Sequence, residues 1–205
     1  MHRGSLHYLR AQLLVCTSCL LYVSNTQTAE SKPVCEVQQG RINNIRLGGS
    51  IDQVFRAFEG NFEVSETKPQ QPEGPHIPRG PHTFDVREKS TQEKWITFAV
   101  TNKNKILLAY VTGPCKTKKG IGPGSTLGQA IGAYGRPGLS PTDVGYYVGF
   151  RTLPRVVFLL DNSDIPKKLR GIPDDEVSPK EESDILKIHS ARIVEIRLMA
   201  NRIDD

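Results

Sequence analysis

The sequence predicts an α+β fold made of two tandem repeats, each consisting of one helix followed by three strands. Two observations lead to this prediction. One stretch of the chain recurs 76 residues further on, and in each copy runs of β-branched and aromatic residues follow the recurring stretch. We expect the strands to form an antiparallel sheet with the helices packed on one of its faces.

The recurring stretch predicts a short amphipathic helix in each copy. "IRLGGSIDQVFRAF" at 45–58 aligns with "IGPGSTLGQAIGAY" at 121–134. In both copies a glycine turn precedes the expected N-cap, Ser50 or Thr126, and a glutamine three residues later completes a capping-box pattern. Apolar residues then recur at helical spacing, so one apolar face of each helix is expected to pack against a core.

The strands follow each helix as runs with β-sheet composition. They are predicted at 84–88, 94–101 and 106–112 in the first copy, and at 144–150, 155–161 and 191–199 in the second. In the last strand the alternation predicts two sets of residues on opposite faces, Ile193, Glu195 and Arg197 on one and Val194, Ile196 and Leu198 on the other.

The repeats also set the predicted organisation of the chain. The first repeat covers 30–115 with a proline-rich insert at 68–82, and the second covers 116–205 with an acidic loop at 162–190. A unit of this size is small for an independent core. We therefore expect the two repeats to share an interface or one continuous sheet.

Residues 1–29 are predicted to be a secretory signal peptide. Arg3 and Arg10 are basic, an apolar run covers 11–23, and small polar residues follow. The run is too short to span a bilayer as a helix. The sequence therefore predicts a secreted or periplasmic protein without a transmembrane span in its mature form.

A lipoprotein signal is the alternative, with a lipid anchor on Cys19 and a lipid-anchored envelope location. Cys16 stands where leucine is usual in such motifs. We favour cleavage without lipid, which would start the mature chain between Gln27 and Glu30.

The charge balance is mild. Removal of the signal peptide takes away two basic and no acidic residues, so the net charge falls from +5 to +3. Nucleic-acid binders concentrate much more positive charge on one face. The balance therefore predicts no nucleic-acid partner.

Two cysteines remain after processing, Cys35 and Cys115. In an exported protein an even number of cysteines favours pairing, and the alternative is two buried thiols. The bridge would close a loop of about 80 residues, which the chain-entropy model values at about 4 kcal/mol.

The lysines and glycines of "KTKKGIGPGST" at 116–126 resemble a phosphate-binding loop at first sight. Such a loop needs a lysine before its final serine or threonine, but Gly124 is followed by Ser125. The aligned first copy also lacks the lysines. We assign this turn to structure and predict no cofactor; the alternative is an anion held by the helix start with Lys116, Lys118 and Lys119.

Neither a catalytic nor a metal centre is predicted. Only His76, His82 and His189 remain after processing, and no cysteine or serine has an evident histidine partner in the sequence. The carboxylates between 174 and 182 lack the spacing and the glycine of a calcium loop. We predict that the protein is not an enzyme.

Two sets of residues are candidates for partner binding. Prolines recur at every third position of the insert, which is the period of a polyproline II arm; the alternative is a stiff surface connection between the first helix and its sheet. Strand aromatics form the second set, and the adjacent tyrosines must point to opposite faces, so that one is a candidate exposed contact. The candidates are Pro72, Pro75, Pro78, Arg79, Trp95, Tyr146 and Tyr147.

A tandem of such units, each opening with a glycine turn, a Ser/Thr cap and a short amphipathic helix, resembles a known architecture. It is similar to exported bacterial proteins with the beta-lactamase-inhibitor-protein-like fold, shared by small outer-membrane lipoproteins of the SmpA/OmlA type. "IRLGGSIDQVFRAF" and "GIGPGSTLGQAIGAYG" carry the resemblance, which covers 42–199. It implies a protein that binds other proteins and has no catalytic centre.

The sequence as a whole predicts an exported, non-catalytic binding protein of the cell envelope that contacts another protein or an envelope component. One alternative is a small-ligand carrier with a pocket between the repeats. Another is a hydrolase whose acidic residues come together only in the fold.

Overall fold

The computed structural model describes residues 35–67, 82–142, 145–170 and 178–200. Several predictions fall outside these ranges. They concern the signal peptide at 1–29, the lipid-anchor candidate Cys19, and the proline-rich candidates Pro72, Pro75, Pro78 and Arg79.

Within the described ranges the chain forms twelve strands and three α-helices. The strands are β1 (Glu36–Gln38), β2 (Arg41–Ile42), β3 (Ile45–Arg46), β4 (Phe62–Thr67), β5 (His82–Glu88), β6 (Lys94–Val100), β7 (Ile106–Val111), β8 (Lys116–Thr117), β9 (Pro137–Thr142), β10 (Gly145–Phe150), β11 (Leu153–Leu160) and β12 (Ile193–Met199). The helices are α1 (Asp52–Ala57), α2 (Leu127–Tyr134) and α3 (Pro179–Leu186), with short 3-10 turns at Asn162–Asp164 and Lys167–Leu169.

Eight strands form one antiparallel sheet in the order β4-β5-β6-β7-β12-β11-β10-β9. Two runs of four sequential strands meet at its centre, where Val111 of β7 lies opposite Ile196 of β12. We call α1 with β4–β7 the first half, and α2 with β9–β12 the second half. The four short strands form a second sheet in the order β3-β2-β1-β8, in which β1 and β8 run parallel.

The predicted fold class, two helix-plus-three-strand repeats, is wrong. The described chain is mostly β, built on one large sheet with a few short helices. All six predicted strands are present, but the short strands β1, β2, β3 and β8 were not predicted, and in the large sheet β4 and β9 were missed. The sequence of β4, "FEVSET", is largely polar, and β9, "PGLSPT", contains Pro137 and Pro141, residues that argue against a strand except at a sheet edge. Both missed strands are sheet edges.

The core lies between one face of the large sheet and the helices. The Tyr134 ring of α2 has its centroid 5.4 Å from that of Phe150 and 6.3 Å from that of Phe158, on β10 and β11. Phe58, directly after α1, packs edge-on against Phe62 at 5.2 Å. Aromatic edge and offset contacts of this kind contribute beyond the area they bury.

In both halves the glycine turn before the helix forms the same pair of backbone hydrogen bonds with the last strand. The N–H of Gly48 donates to the carbonyl of Ile106, the first residue of β7, at 2.7 Å. The N–H of Gly124 donates to the carbonyl of Ile193, the first residue of β12, at 2.8 Å. In each case the isoleucine N–H donates back to the next residue of the turn, at 2.9 and 2.8 Å. The glycine turns therefore fix each helix entry to the start of the last strand of its half.

The predicted helix caps differ in outcome. The Thr126 capping box is confirmed, because the Thr126 hydroxyl accepts from the Gln129 N–H and the Gln129 side chain accepts from the Thr126 N–H. The Ser50 capping box is wrong. The Ser50 hydroxyl accepts from the N–H of Asp52, at 3.3 Å, and not from that of Gln53, and the Gln53 amide oxygen accepts from the N–H of Arg46, at 3.1 Å.

A disulfide joins Cys35 to Cys115, as the sequence predicted, with a Cα–Cα distance of 4.4 Å. Both cysteines are buried. The bridge links the chain before β1 to the residue before β8, where these two short strands pair. A disulfide is consistent with an exported protein.

The two inserts lie at different places in the fold. The first connects β4 to β5, two paired strands, and not the helix to its sheet. The second is not simply a solvated loop, because it contains both 3-10 turns and α3. Ser178 and Glu181 form a capping box at the start of α3. Within the described residues, no helix is long and apolar enough to cross a membrane.

The alternation predicted for the last strand is half correct. Ile196 and Leu198 are buried in the core, and Glu195 and Arg197 alternate with them. The pairing with β11 steps by two residues between Glu195 and Ile193, so Val194 is the extra residue of a β-bulge. The bulge turns Ile193 into the core and leaves Val194 exposed.

Candidate functional site

One row of directly opposed residues crosses the whole large sheet on the face opposite the core. Its members, from β4 to β9, are Ser65, Asp85, Thr97, Tyr110, Arg197, Val157, Gly149 and Gly138. The residues that alternate with them, such as Val86, Phe98 and Ile196, belong to the core cluster. We call this sheet face the row face.

At the centre of the row face, the Arg197 guanidinium lies between two tyrosine rings. Its central carbon is 4.8 Å from the ring centroid of Tyr110 and 4.2 Å from that of Tyr147. Both distances are within the range of cation–π attraction. The contact joins the two halves, since Tyr110 is on β7 and Tyr147 on β10.

Glu195 completes this central cluster. The Tyr147 hydroxyl donates to Glu195 Oε1 at 3.1 Å, and Arg197 Nη2 donates to the Tyr147 hydroxyl. Arg197 Nε lies 3.7 Å from the same carboxylate oxygen. Three side chains from two strands are thus held by one another, and the tyrosine ring is fixed in place.

Burial governs the ionisation of the cluster. Burial raises the pKa of Tyr147, and the nearby Glu195 carboxylate raises it further. Burial also raises the pKa of Glu195, while the Tyr147 hydrogen bond and the Arg197 charge act in the opposite direction. The phenol therefore stays protonated at neutral pH and serves as a hydrogen-bond donor.

A second cluster lies in the first half of the same face, around Asp85, which is 7% exposed. The Thr97 hydroxyl donates to Asp85 Oδ1 at 2.6 Å. Arg87 Nη2 lies 3.2 Å from the other carboxylate oxygen, and Lys94 Nζ lies 3.9 Å from Oδ1. This carboxylate is satisfied by its own neighbours, as a buried charge requires.

In the second half the row ends in two glycines, and the surface is hollow there. Gly138 of β9 lies opposite Gly149 of β10, so neither strand places a side chain over this point. The result is a shallow open depression of about 380 Å³. We call it the glycine depression; its lining consists of Gly138, Leu139, Ser140, Tyr147, Gly149, Phe150, Arg151 and Val157.

The strand aromatics predicted to bind a partner are all buried. Tyr146 and Tyr147 do point to opposite faces, but they are 2% and 4% exposed. The Tyr146 hydroxyl donates to the carbonyl of Leu169 in the core. Trp95 is 1% exposed and packs against the Phe62 ring at 4.8 Å. Of these three, Tyr147 alone lines the row-face depression, and a partner-binding role for any of them stays a prediction.

Two lysines and backbone donors of the glycine turn before α2 make contacts within the chain. Lys116 donates to the Pro123 carbonyl, and Lys119 donates to the Ala133 carbonyl near the end of α2. The first helical N–H groups, of Leu127 and Gly128, donate to backbone carbonyls of the segment before β12, at 2.8 and 2.9 Å. These donors are therefore already used, which removes the basis for an anion site at this helix start.

The described residues contain no group of three or more His, Cys, Asp or Glu side chains that could hold a metal ion. His82 is paired with Glu66, with Nδ1 2.7 Å from Oε1, and His76 lies outside the described ranges. The predictions of no metal, no cofactor and no catalytic centre remain predictions.

Most of the row face was not predicted from the sequence. Its members pair across strands far apart in the chain, so no local motif contains them. Two signals were present: Glu195 and Arg197 are charged residues two apart in an otherwise apolar strand, and Gly149 interrupts the apolar run of β10.

Comparisons with known proteins define no family. No protein-family model matches the chain, and no curated protein matches it. Among solved structures, the chain is similar to the uncharacterized protein yfeY from Escherichia coli, with a TM-score of 0.47 and 9% sequence identity over 81% of this chain and 98% of that one. A similarity at this level carries no argument. The class that the structure itself defines is a mostly β protein with one antiparallel sheet, and the resemblance to the beta-lactamase-inhibitor-protein-like fold stays a prediction.

Proposed function

We propose that this protein is an exported, non-catalytic binding protein of the cell envelope, and that its row face contacts another protein or an envelope component. The observation that carries the proposal is the stack of Tyr110, Arg197 and Tyr147 beside the glycine depression. It places aromatic and arginine side chains at the middle of a rigid sheet.

The composition of this centre supports a binding role. Tyrosine and arginine are enriched among the residues that dominate the binding energy of protein interfaces. Here Tyr110 and Arg197 are half-buried on the row face, and the buried Tyr147 holds Arg197 in place, with its ring 4.2 Å from the guanidinium. Such a surface loses little side-chain freedom on binding, which lowers the entropic cost of association.

The shape of the surface favours a macromolecular partner over a small ligand. Small-ligand sites are usually concave and bury most of the ligand. The glycine depression is open, and it lies within β9, β10 and β11, away from the junction of the halves. A protein partner can bury such an open depression, because its surface extends beyond the rim and excludes water. No specific observation favours the carrier or the hydrolase, the alternatives from the sequence.

An exported location is the second part of the proposal. The disulfide between Cys35 and Cys115 supports it. Removal of 1–29 as a signal peptide, and secretion or release into the periplasm, would be tested by fractionation of expressing cells and by N-terminal sequencing of the purified protein. A chain that stays uncleaved and reduced in the cytosol would contradict it.

Site-specific photocrosslinking tests the binding role. A benzoylphenylalanine at Ser140 places the crosslinker on the row face, since Ser140 is exposed and lies opposite Tyr147 on the neighbouring strand. The matched control replaces Phe55, which is 41% exposed on α1. After irradiation in an envelope extract, we expect a discrete adduct from the Ser140 position and none from the Phe55 position. No adduct, or equal adducts from both positions, would contradict the proposal.

A further inference from the structure

At the glycine depression the sheet carries side chains on its core face, but Gly138 and Gly149 place none on its row face. A Cβ added at Gly138 would meet no atom within 4 Å, and a Cβ at Gly149 would touch only Val157, at 3.4 Å. Both positions have room for a side chain that the sequence does not supply. The space beside Tyr147 is therefore open to a group from outside.

The floor and wall of this space are apolar. Backbone of β9 and β10 forms the floor, and the Val157 side chain and the Tyr147 ring contribute apolar surface to the lining. The side chains of Leu139 and Phe150 pack on the core face, so these two residues line the depression through their backbone. Burial of an apolar group here gains about 25 cal/mol for each Å² removed from water. A bulky apolar group is the occupant that this lining favours.

The only charged residue of the lining is basic. Arg151 is exposed in the turn between β10 and β11, and the lining contains no acidic residue. Among the described residues, no carboxylate lies within ion-pair distance of Arg151. An arginine presents a planar fork of donors that matches a carboxylate.

We propose that the glycine depression receives a bulky apolar side chain of a protein partner, and that Arg151 binds a carboxylate of the same partner segment. This inference deepens the proposed function and rests on it. The openness of the depression selects a protein as the occupant, because a partner's surrounding surface can exclude water where the depression itself cannot.

Two small probes test the chemistry of the site. N-acetyl-L-phenylalanine carries an aromatic side chain with a carboxylate, and N-acetyl-L-phenylalaninamide carries the same side chain without it. The uniformly 15N-labelled full chain is titrated with each probe, and amide chemical shifts are followed. We expect shifts at Gly138 and Gly149, with the carboxylate probe binding about threefold more tightly, as an exposed ion pair allows. Shifts elsewhere, or equal affinities, would overturn the inference.

Variants separate the two contacts. Gly138→Leu fills the depression and should abolish the shifts from both probes. Gly132→Leu is the matched control, because Gly132 is an exposed glycine of α2 with the same free space, and it should change neither titration. Arg151→Glu leaves the depression intact and should make the amide probe the tighter one. This last variant keeps the inference testable even where Gly138→Leu fails to fold.

The crosslinking experiment distinguishes this inference from the proposed function. If the Ser140 adduct forms in the native sequence and in Gly132→Leu but is lost in Gly138→Leu, the depression is part of the contact. If the adduct persists in Gly138→Leu, the inference is wrong while the row face remains the binding surface. If the native sequence gives no adduct, the proposed function itself fails.

Discussion

The first and second halves of the large sheet share the backbone contact between the glycine turn and the last strand. They differ in the helix that follows the turn and in the position of the long connection. In both, a glycine turn hydrogen-bonds to the isoleucine that starts the last strand. The first half has a six-residue helix without a side-chain cap, and the second has an eight-residue helix with a capping box. Their long connections also differ, since one separates β4 from β5 and the other separates β11 from β12.

The row face shows what this difference means for function. In the first half the row carries Asp85 and Thr97, which satisfy each other. In the second half it carries Val157 and two glycines, which leave apolar space. The halves meet at Arg197, which contacts a tyrosine from each. The candidate binding site therefore lies where the row of the second half lacks the polar side chains that the row of the first half has.

Loss of the disulfide is the largest change that we expect in the stability of this arrangement. Replacement of Cys35 and Cys115 together by alanine removes the cross-link between two residues 80 positions apart, which restricts the unfolded chain. The free energy of unfolding should fall by about 4 kcal/mol, measured by urea denaturation. A reducing agent should lower the stability of the native protein and leave the variant unchanged. Equal stability of the two oxidised proteins would contradict the prediction.

Glycine substitutions in the two turns compare how tightly each turn is packed, at positions that do not align with each other. A Cβ at Gly122 would overlap the backbone carbonyl oxygen of Cys115, whereas a Cβ at Gly49 would chiefly overlap the side-chain amide of Gln53. A side chain can move more easily than the backbone. We expect Gly122→Ala to cost about 3 kcal/mol and Gly49→Ala about 1 kcal/mol, by the same denaturation assay. The reverse order would show that the turn before α2 is the more adaptable one.

The helix caps provide a smaller comparison. Thr126→Ala removes the hydroxyl that accepts from the Gln129 N–H and should cost about 1 kcal/mol. Ser50→Ala should cost less, about 0.5 kcal/mol, because the Ser50 hydroxyl accepts from the Asp52 N–H but takes part in no capping box with Gln53. Thermal unfolding monitored by circular dichroism measures both. Equal losses would contradict the prediction that the complete box makes the difference.

An acid-sensitive contact is present at the start of β12 in the second half. The Ser163 hydroxyl lowers the pKa of Asp161, with a further contribution from Arg192, and the Arg192 guanidinium lowers the pKa of Asp164. Arg192 lies 2.7 Å from Asp161 and 2.9 Å from Asp164. The two carboxylates thus lose their protons at lower pH in the folded state than in the unfolded state.

The sign of the pH effect follows from these shifts. Stabilisation by this contact is complete above the unfolded aspartate pKa, about 3.9, and is lost as the pH falls through the lower folded values. Asp164→Asn should therefore lower the melting temperature at pH 6 and show a smaller further loss on acidification than the native protein. Parallel melting curves of the two proteins across this range would contradict the role of the contact.

Part of the fold follows from local sequence signals and part does not. The six predicted strands have apolar alternation or a continuous apolar run, and α2 has a complete capping box. β4 lacks such a run, and its position depends on pairing with β5. The Val194 bulge likewise depends on the register between β11 and β12, which no single strand encodes. The missing strands are what made the predicted fold class wrong.

The candidate site was less accessible to prediction than the fold. Tyr146 and Tyr147 were predicted to point to opposite faces with one of them exposed; both are buried, and the structure places Tyr147 beside Arg197. Arg197 and Tyr110 were not identified as site residues, because their contact depends on the pairing of β7 with β12, each the last strand of its half and far apart in the chain. Gly138 and Gly149 become a pair only through the register of β9 with β10.

The two prolines of β9 limit how any other chain can approach this molecule. Proline has no N–H, and within sheets it occupies edge positions where its nitrogen faces away from the neighbouring strand. Pro137, Leu139 and Pro141 therefore share the outward side of β9, and only Leu139 keeps an N–H there. An incoming strand would find one backbone donor where three are usual, so strand addition at this rim is disfavoured. A partner of the second half is therefore expected to bind the row face of the sheet and not to add a strand at its β9 edge.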